Sequence, residues 1–302
     1  MKAQARAGID LIGPTLRYAE VEQYGLRYRL LRLGSCEFDF DLADHLLQAE
    51  SPVHVPMVVD ALTSVFEGSR ADTLHITLHP PYCHSFFIPL PEALPWAVRE
   101  ERMRAEASAL TGQPAHELRI EAQVIATEWR EEELSWHHVL VLPDHIYRRF
   151  RQMARRLPQR SVRLHLSMQS AASAVQGLER MDPGPSERPF TLAVGWYDQH
   201  VEYVLTREGR WRFSLFAPGA SPTNGAYFAL MLLRRVGAPV AQVGRLFAYG
   251  QHVEPAVLRP LEQVLRLPCT RLNPLKVVDL DPESLDASFD AEAYVSCLGG
   301  AL

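Results

Sequence analysis

Ala7-Gly-Ile-Asp-Leu-Ile-Gly-Pro-Thr-Leu-Arg-Tyr-Ala-Glu-Val21 decides how the rest of the chain is read. Gly8 to Ile12 is an apolar run broken once, by Asp10. Gly13-Pro14-Thr15 is turn chemistry, because Gly accepts positive φ and Pro holds φ at about −65°. Apolar positions resume at Leu16, Tyr18 and Val21, so the stretch predicts strand, tight turn, strand. An acid at the mouth of such a hairpin either orients a metal at a nucleotide or bonds the turn's own amides. This stretch alone leaves both readings of Asp10 open.

Working outward, Ala7–Ile12, Leu16–Gln23 and Leu26–Leu33 read as three strands punctuated by Gly25 and Gly34. Val55 to Phe66 has apolar residues at helical spacing and stops at Gly68. Leu74–Leu78 and Ser85–Pro89 read as strands around the loop His79–His84. A charged helix is expected from Pro91-Glu92 to Leu110, then strands at Leu118–Ala126 and Val139–Leu142, a helix from Asp144 to Leu157, a strand at Val162–Leu166 and a helix at Met168–Leu178. Met181 to Pro189 carries three prolines and a glycine and reads as a linker. After it the opening theme returns. Phe190–Trp196, Val201–Arg207 and Trp211–Phe216 are again three strands, followed by helices at Gly225–Val236 and Val253–Leu265, strands at Gln242–Ala248 and Cys269–Leu272, and a closing helix from Ala291 to Leu298. A meander followed by alternating helix and strand, twice over, predicts two α/β lobes with a cleft between them.

The bulk composition fits that picture. At 302 residues and 47% hydrophobic, the chain can bury a sizeable core. Its net charge of −5 offers no general attraction to nucleic acid. Four cysteines without a CxxC pair suit a reducing compartment. The first ten residues lack an apolar segment and no apolar run reaches bilayer length, so a cytoplasmic location is expected, with membrane association only through a partner.

The order of these elements resembles the actin-like (ribonuclease H-like) fold, and more narrowly the PilM family of type IV pilus assembly, with FtsA and GspL as wider relatives. Gly8-Ile9-Asp10, the turn, and Arg17 with Glu20-Val21 sit where the family has its first phosphate loop. Ile88-Pro-Leu-Pro91 and the charged helix after it resemble the family's inserted subdomain, and Val139–Pro143 resembles the return to the first lobe. Leu246-Phe-Ala-Tyr-Gly-Gln-His-Val253 and Leu267 to Pro274 resemble the adenosine loop and the segment that follows it. The resemblance implies a first lobe over 1–181 with a small α+β insertion at about 79–136, a linker at 182–189, and a second lobe over 190–302 whose own insertion is reduced or absent. It implies Asp10, Gly13, Thr15, Arg17 and Gly250 as the positions nearest a bound ATP and Mg²⁺.

Several of those positions depart from the family's pattern. Ile12 replaces a glycine, Gly13 falls one position late, and Pro14 removes an amide from the loop that would cradle phosphate. Leu192 to Tyr197 carries no acid, Asp198 lies several positions late, and Tyr249 stands where a purine would pack. Phosphoryl transfer relies on positioned loops and metal. A non-catalytic scaffold is therefore expected, with no resident cofactor and no metal. The resemblance implies that it binds the cytoplasmic tail of a PilN-like inner-membrane protein, and further contacts to other pilus platform proteins or the assembly motor ATPase. The expected groove lies between the first lobe and the insertion, near Leu74, Ile76, Phe86 and Ile88. The alternative is an ATP-binding actin-like ATPase or a sugar-kinase-like enzyme.

Other constellations read as structural. His75, His79, Cys83 and His84 are the densest group of potential metal ligands, but their spacing around Pro80-Pro81 does not make them converge. His137-His138 reads as surface and Glu131–Glu133 as a solvated turn. No nucleophile elbow surrounds Ser170 or Ser173. Arg148, Arg149, Arg151, Arg155, Arg156 and Arg160 form the strongest local charge feature, either a solvated helix face or a docking patch.

Overall fold

The computed structural model of the chain describes residues 4–25, 27–50, 52–80, 82–129, 133–159, 161–219, 221–280 and 289–302. Leu26, Pro81, Glu131, Glu132 and Arg160, which figure in the readings above, lie outside them.

The opening alternation folds into an antiparallel meander of β1 (Gln4–Ile12), β2 (Thr15–Tyr24) and β3 (Arg27–Glu37). Gly13 takes φ +54° at the first turn. Two helices follow, α1 (Leu42–Leu47) and α2 (Val55–Val65). The short α1 was not foreseen. The Asp41 carboxylate caps it by accepting the Asp44 N–H at 2.8 Å. β4 (Thr73–Leu78) then returns parallel to β1.

The insertion forms its own three-stranded sheet from β5 (His84–Pro91), β6 (Leu118–Trp129) and β7 (Glu133–Pro143), in the order β5-β7-β6. Between β5 and β6, α3 (Trp96–Thr111) packs Met103 and Ala107 onto Leu90, Leu118, Val139 and Val141. The helix starts later than expected because Pro91 still belongs to the sheet and the Glu92 N–H bonds the Glu133 carbonyl at 2.8 Å. Val139–Leu142, read as the return to the first lobe, is instead part of the central strand of this small sheet. His137 and His138 are buried there, not at the surface. The His138 ring lies 5.0 Å from that of Phe87 and 4.7 Å from that of Trp211.

α4 (Asp144–Ala154) leads to β8 (Ser161–Leu166), completing a first sheet in the order β3-β2-β1-β4-β8. α5 (Ser167–Met181) crosses to the second half. There β9 (Phe190–Trp196), β10 (His200–Arg207) and β11 (Arg210–Pro218) repeat the meander, and α6 (Pro222–Arg235) follows directly. β12 (Val243–Gly250), α7 (Pro255–Leu265) and β13 (Cys269–Arg271) complete a second sheet in the order β11-β10-β9-β12-β13. Strand for strand this repeats the first order and the first directions. Only α6 and one short 3₁₀ turn separate β11 from β12, so the second lobe carries no inserted sheet among the described residues.

The closing helix α8 (Val295–Ala301) packs back on β1, β2 and α5, while α5 packs on β10 and β11. Each lobe thus lends a helix to the other's side, and one apolar core runs through Ile9, Leu11 and Ile76 into Ala193, Val204 and Tyr249. That core requires glycine at helix contacts. A Cβ on Gly299 would run into the Ser170 carbonyl oxygen, and one on Gly8 into that of Cys297. Gly299→Ala is therefore expected to cost about 2–4 kcal/mol of unfolding free energy. Gly184→Ala, which meets only the Arg245 side chain at 3.4 Å or beyond, serves as the control. Denaturant titration of the two variants checks this, and equal midpoints would contradict it.

Candidate functional site

Where the two sheets face each other, the cleft is filled by polar side chains. Asp10 on β1 is 1% exposed. His79, immediately after β4, donates Nε2–H to the Asp10 carboxylate at 2.7 Å and Nδ1–H to Glu202 Oε1 at 3.2 Å. Glu202 lies in β10, so this imidazole joins a carboxylate of one lobe to a carboxylate of the other. Glu202 also accepts from His200 Nε2 at 3.0 Å, from the Tyr249 hydroxyl at 3.0 Å, and from the Ser167 hydroxyl. The Tyr197 ring stacks on His200 at 4.9 Å, meets His79 edge-on at 4.6 Å, and its hydroxyl bonds Ser296.

The alternation of the strands brings these groups together. Glu202 is the one acid in β10 and points inward with Val204, and Tyr249 of β12 lies across from Gly195 of β9. A Cβ at Gly195 would stand 2.6 Å from the Tyr249 ring, so the glycine makes room for the tyrosine. Gly250 has φ +105°, and a Cβ there would strike the Trp196 carbonyl.

The charges are arranged as a bridge. Burial on its own would lower the His79 pKa; the charge and hydrogen bond of Asp10, then those of Glu202, override it and raise the value to about 10. Burial would likewise raise Glu202, but its hydrogen bonds from His200 and His79 hold it well below the ordinary carboxylate range. Burial, followed by the nearby Glu202 charge, pushes Tyr249 and Tyr197 well above the phenol value, so both remain donors. His79, His200 and Glu202 are close enough to share a metal ion. In the arrangement described, however, every one of their facing atoms is matched by a hydrogen bond within the protein.

The five positions singled out for nucleotide are dispersed. Asp10 is committed to His79. The Gly13 carbonyl accepts the Ala43 N–H at 3.1 Å, and the Thr15 hydroxyl donates to Glu37 at 2.9 Å. Arg17 and Gly250 alone border the opening that remains, a cavity of about 360 Å³ shared with Asp198, His252, Arg271 and Glu292. Asp198, the proposed stand-in acid, is exposed and pairs with His252. The ligand-like cluster read around residues 75–84 also separates. His75 pairs with His165 at 2.8 Å, Cys83 is buried, and His84 is exposed.

Of the four positions expected to meet a partner, two are corrected. Leu74 and Ile76 lie in β4, between β1 and β8, and are buried, because the parallel strand is covered on both faces. Phe86 and Ile88 lie on β5, an edge strand of the small sheet, and are half-buried. Phe86 borders a groove of about 820 Å³, which lies between the insertion and the second lobe and not, as expected, between the insertion and the first lobe. Phe87, Trp136, Phe213, Leu215 and Phe216 line it further, with Arg207, Arg212 and Arg235 among its polar residues. Phe87 stacks on Phe213 at 4.5 Å to join the two bodies.

His79→Gln would leave two buried carboxylates without their cation and is expected to cost about 3–5 kcal/mol. The His79 pKa is raised, so its contribution is complete below about pH 6.5 and lost as pH climbs through about 10. The Glu202 pKa is depressed, so its contribution is present above about pH 4.5 and lost as pH falls below it. The stability gap between wild type and variant should be widest between those limits and narrow toward pH 10. An equal gap at pH 6 and pH 10 would contradict the bridge.

No family model matches the chain, and no curated protein matches it. Solved structures do. The PilM-PilN type IV pilus biogenesis complex aligns with a TM-score of 0.74 at 14% identity, over 98% of this chain and 97% of that one. A Bacteroides thetaiotaomicron protein with an actin-like ATPase fold and unknown function aligns at 0.54 and 10% identity, over 97% and 96%. The ethanolamine utilization protein EutJ from Carboxydothermus hydrogenoformans aligns at 0.51 and 8% identity, over 100% and 90%. Together with the duplicated strand order, these likenesses establish that the chain has the actin-like fold, shaped most like PilM among these three.

Proposed function

We propose that the chain is a non-catalytic, cytoplasmic scaffold of a type IV pilus or related secretion or DNA-uptake machine. It holds the extended cytoplasmic tail of a PilN-like inner-membrane protein and sits at that membrane through this partner. The observation that carries the reading is the contrast between two openings. The interlobe cleft is occupied by the protein's own cation and rings, whereas an apolar groove lies open beside the edge strand β5. The likeness in shape to PilM, solved in complex with PilN, supports the same partner class here. An extended peptide gains main-chain hydrogen bonds at a strand edge and side-chain pockets between aromatic residues.

The filled cleft also supports the absence of nucleotide turnover. Binding a triphosphate with its metal needs a free metal-orienting carboxylate, and Asp10 is engaged by His79. The motor ATPase and other platform proteins remain proposed secondary partners.

Calorimetry with a synthetic peptide carrying the N-terminal cytoplasmic tail of a PilN-type protein is the test. Saturable binding is expected, and Phe86→Asp should weaken it by about tenfold or more, since central aromatic anchors dominate such grooves. Mg-ATP is expected to leave the melting temperature unchanged. Absence of peptide binding would contradict the scaffold, and a saturable shift with Mg-ATP that Asp10→Ala abolishes would favour the enzyme alternative.

A further inference from the structure

The arginine cluster of α4 borders neither of the openings described above. His145, Arg148, Arg151, Arg155 and Arg156 are exposed, and residues 148, 151 and 155 fall on one helical stripe. Arg148 pairs with Asp144 at 2.7 Å and Arg156 approaches Asp60 at 3.8 Å, while Arg151 and Arg155 have no acidic partner among the described residues. Arg149 turns inward instead. It donates to the carbonyl oxygens of Leu46, Ala49 and Glu50 and so ties the end of α1 to α4.

Beside this stripe, α2 and α4 enclose an open pocket of about 630 Å³. Val55, Val59 and Met153 are its apolar lining, and Arg148, Arg149 and Arg156 its cationic lining, against the single acid Glu50. The turn leading into α2 completes the rim with Pro52. That turn presents Val53, 73% exposed, and the first turn of α2 presents Met57, 50% exposed.

We propose that this face docks on an anionic phospholipid bilayer, with α4 along the headgroups and the Val53–Met57 turn dipping below them. Three features favour that occupant. The cations are guanidinium groups, whose planar fork matches phosphodiester oxygens. The aliphatic tips add apolar burial that a free phosphate would not need. The acidic balance of the chain as a whole would turn the remaining surface away from an anionic plane and orient the protein. The face is separate from the groove at Phe86, so it stands or falls independently of the tail-binding reading.

Co-sedimentation of the full chain with phosphatidylglycerol-containing vesicles and with pure phosphatidylcholine vesicles tests this. Binding is expected to the first only, and to be lost in about 0.5 M salt. The double reversal Arg151→Glu/Arg155→Glu should lower partitioning by about tenfold or more. Val53→Asp/Met57→Asp should weaken it too, while the tail-peptide affinity of both variants stays at the wild-type value. Equal binding to both vesicle types, no binding, or binding indifferent to the charge reversal overturns the proposal. A thermal shift with inorganic phosphate or an acidic polypeptide but no vesicle binding would also overturn it, in favour of an anion pocket or a protein partner.

Discussion

One imidazolium between two carboxylates governs how the halves of this chain meet. Asp10 comes from the first meander, Glu202 from its counterpart in the second, and His79 from the strand end that separates them. Two carboxylates taken out of water repel each other and lose hydration, a cost that only a cation and full hydrogen bonding can offset. The bridge supplies both, and His200, Ser167 and Tyr249 satisfy the remaining lone pairs of Glu202. The lobes are therefore joined by groups the chain itself carries. Around the bridge, the apolar core runs from one sheet into the other, and α5 and α8 each pack across the boundary.

That arrangement shapes what the fold can do. A two-lobed protein whose halves are coupled through a buried charge network and exchanged helices presents a steady outer surface. The insertion is attached to that surface by ring contacts, Phe87 on Phe213 and His138 beside Trp211. The groove lies beside those contacts, and Phe87 and Phe213 belong both to the contact and to the groove's lining.

Much of the architecture is legible in the sequence because it rests on local rules. The alternation of β2, the turn at Gly13-Pro14 and the proline-rich segment after Met181 each declare themselves within a short window. The insertion was misdivided because Val139–Leu142 has the apolar run of a buried strand, and periodicity does not say which sheet a strand joins. Likewise Leu74 and Ile76 read as groove residues, because β4 alternates apolar residues with Thr73, His75 and Thr77 and so does not declare in sequence that both its faces are covered.

The site was less legible because its members are distant in sequence. His79 looked like a loop residue beside Pro80, and Tyr249 like an obstacle to a purine. Neither reading could place them on the same carboxylate. A signal was nonetheless present: Glu202 interrupts the apolar run Val201-Glu-Tyr-Val-Leu205, and an acid buried in a central strand must find a cation or donors. That cation is His79, one residue past the end of β4, where no strand periodicity points to it.

The most direct test of the account is the protonation of His79 itself. Nitrogen-detected NMR of the imidazole rings at pH 8, with His79→Gln to assign the signal, reads whether each ring nitrogen carries a proton. The account predicts that both do, well above the ordinary histidine pKa. A single protonated nitrogen would show a neutral ring, and the charge bridge between the lobes would not exist.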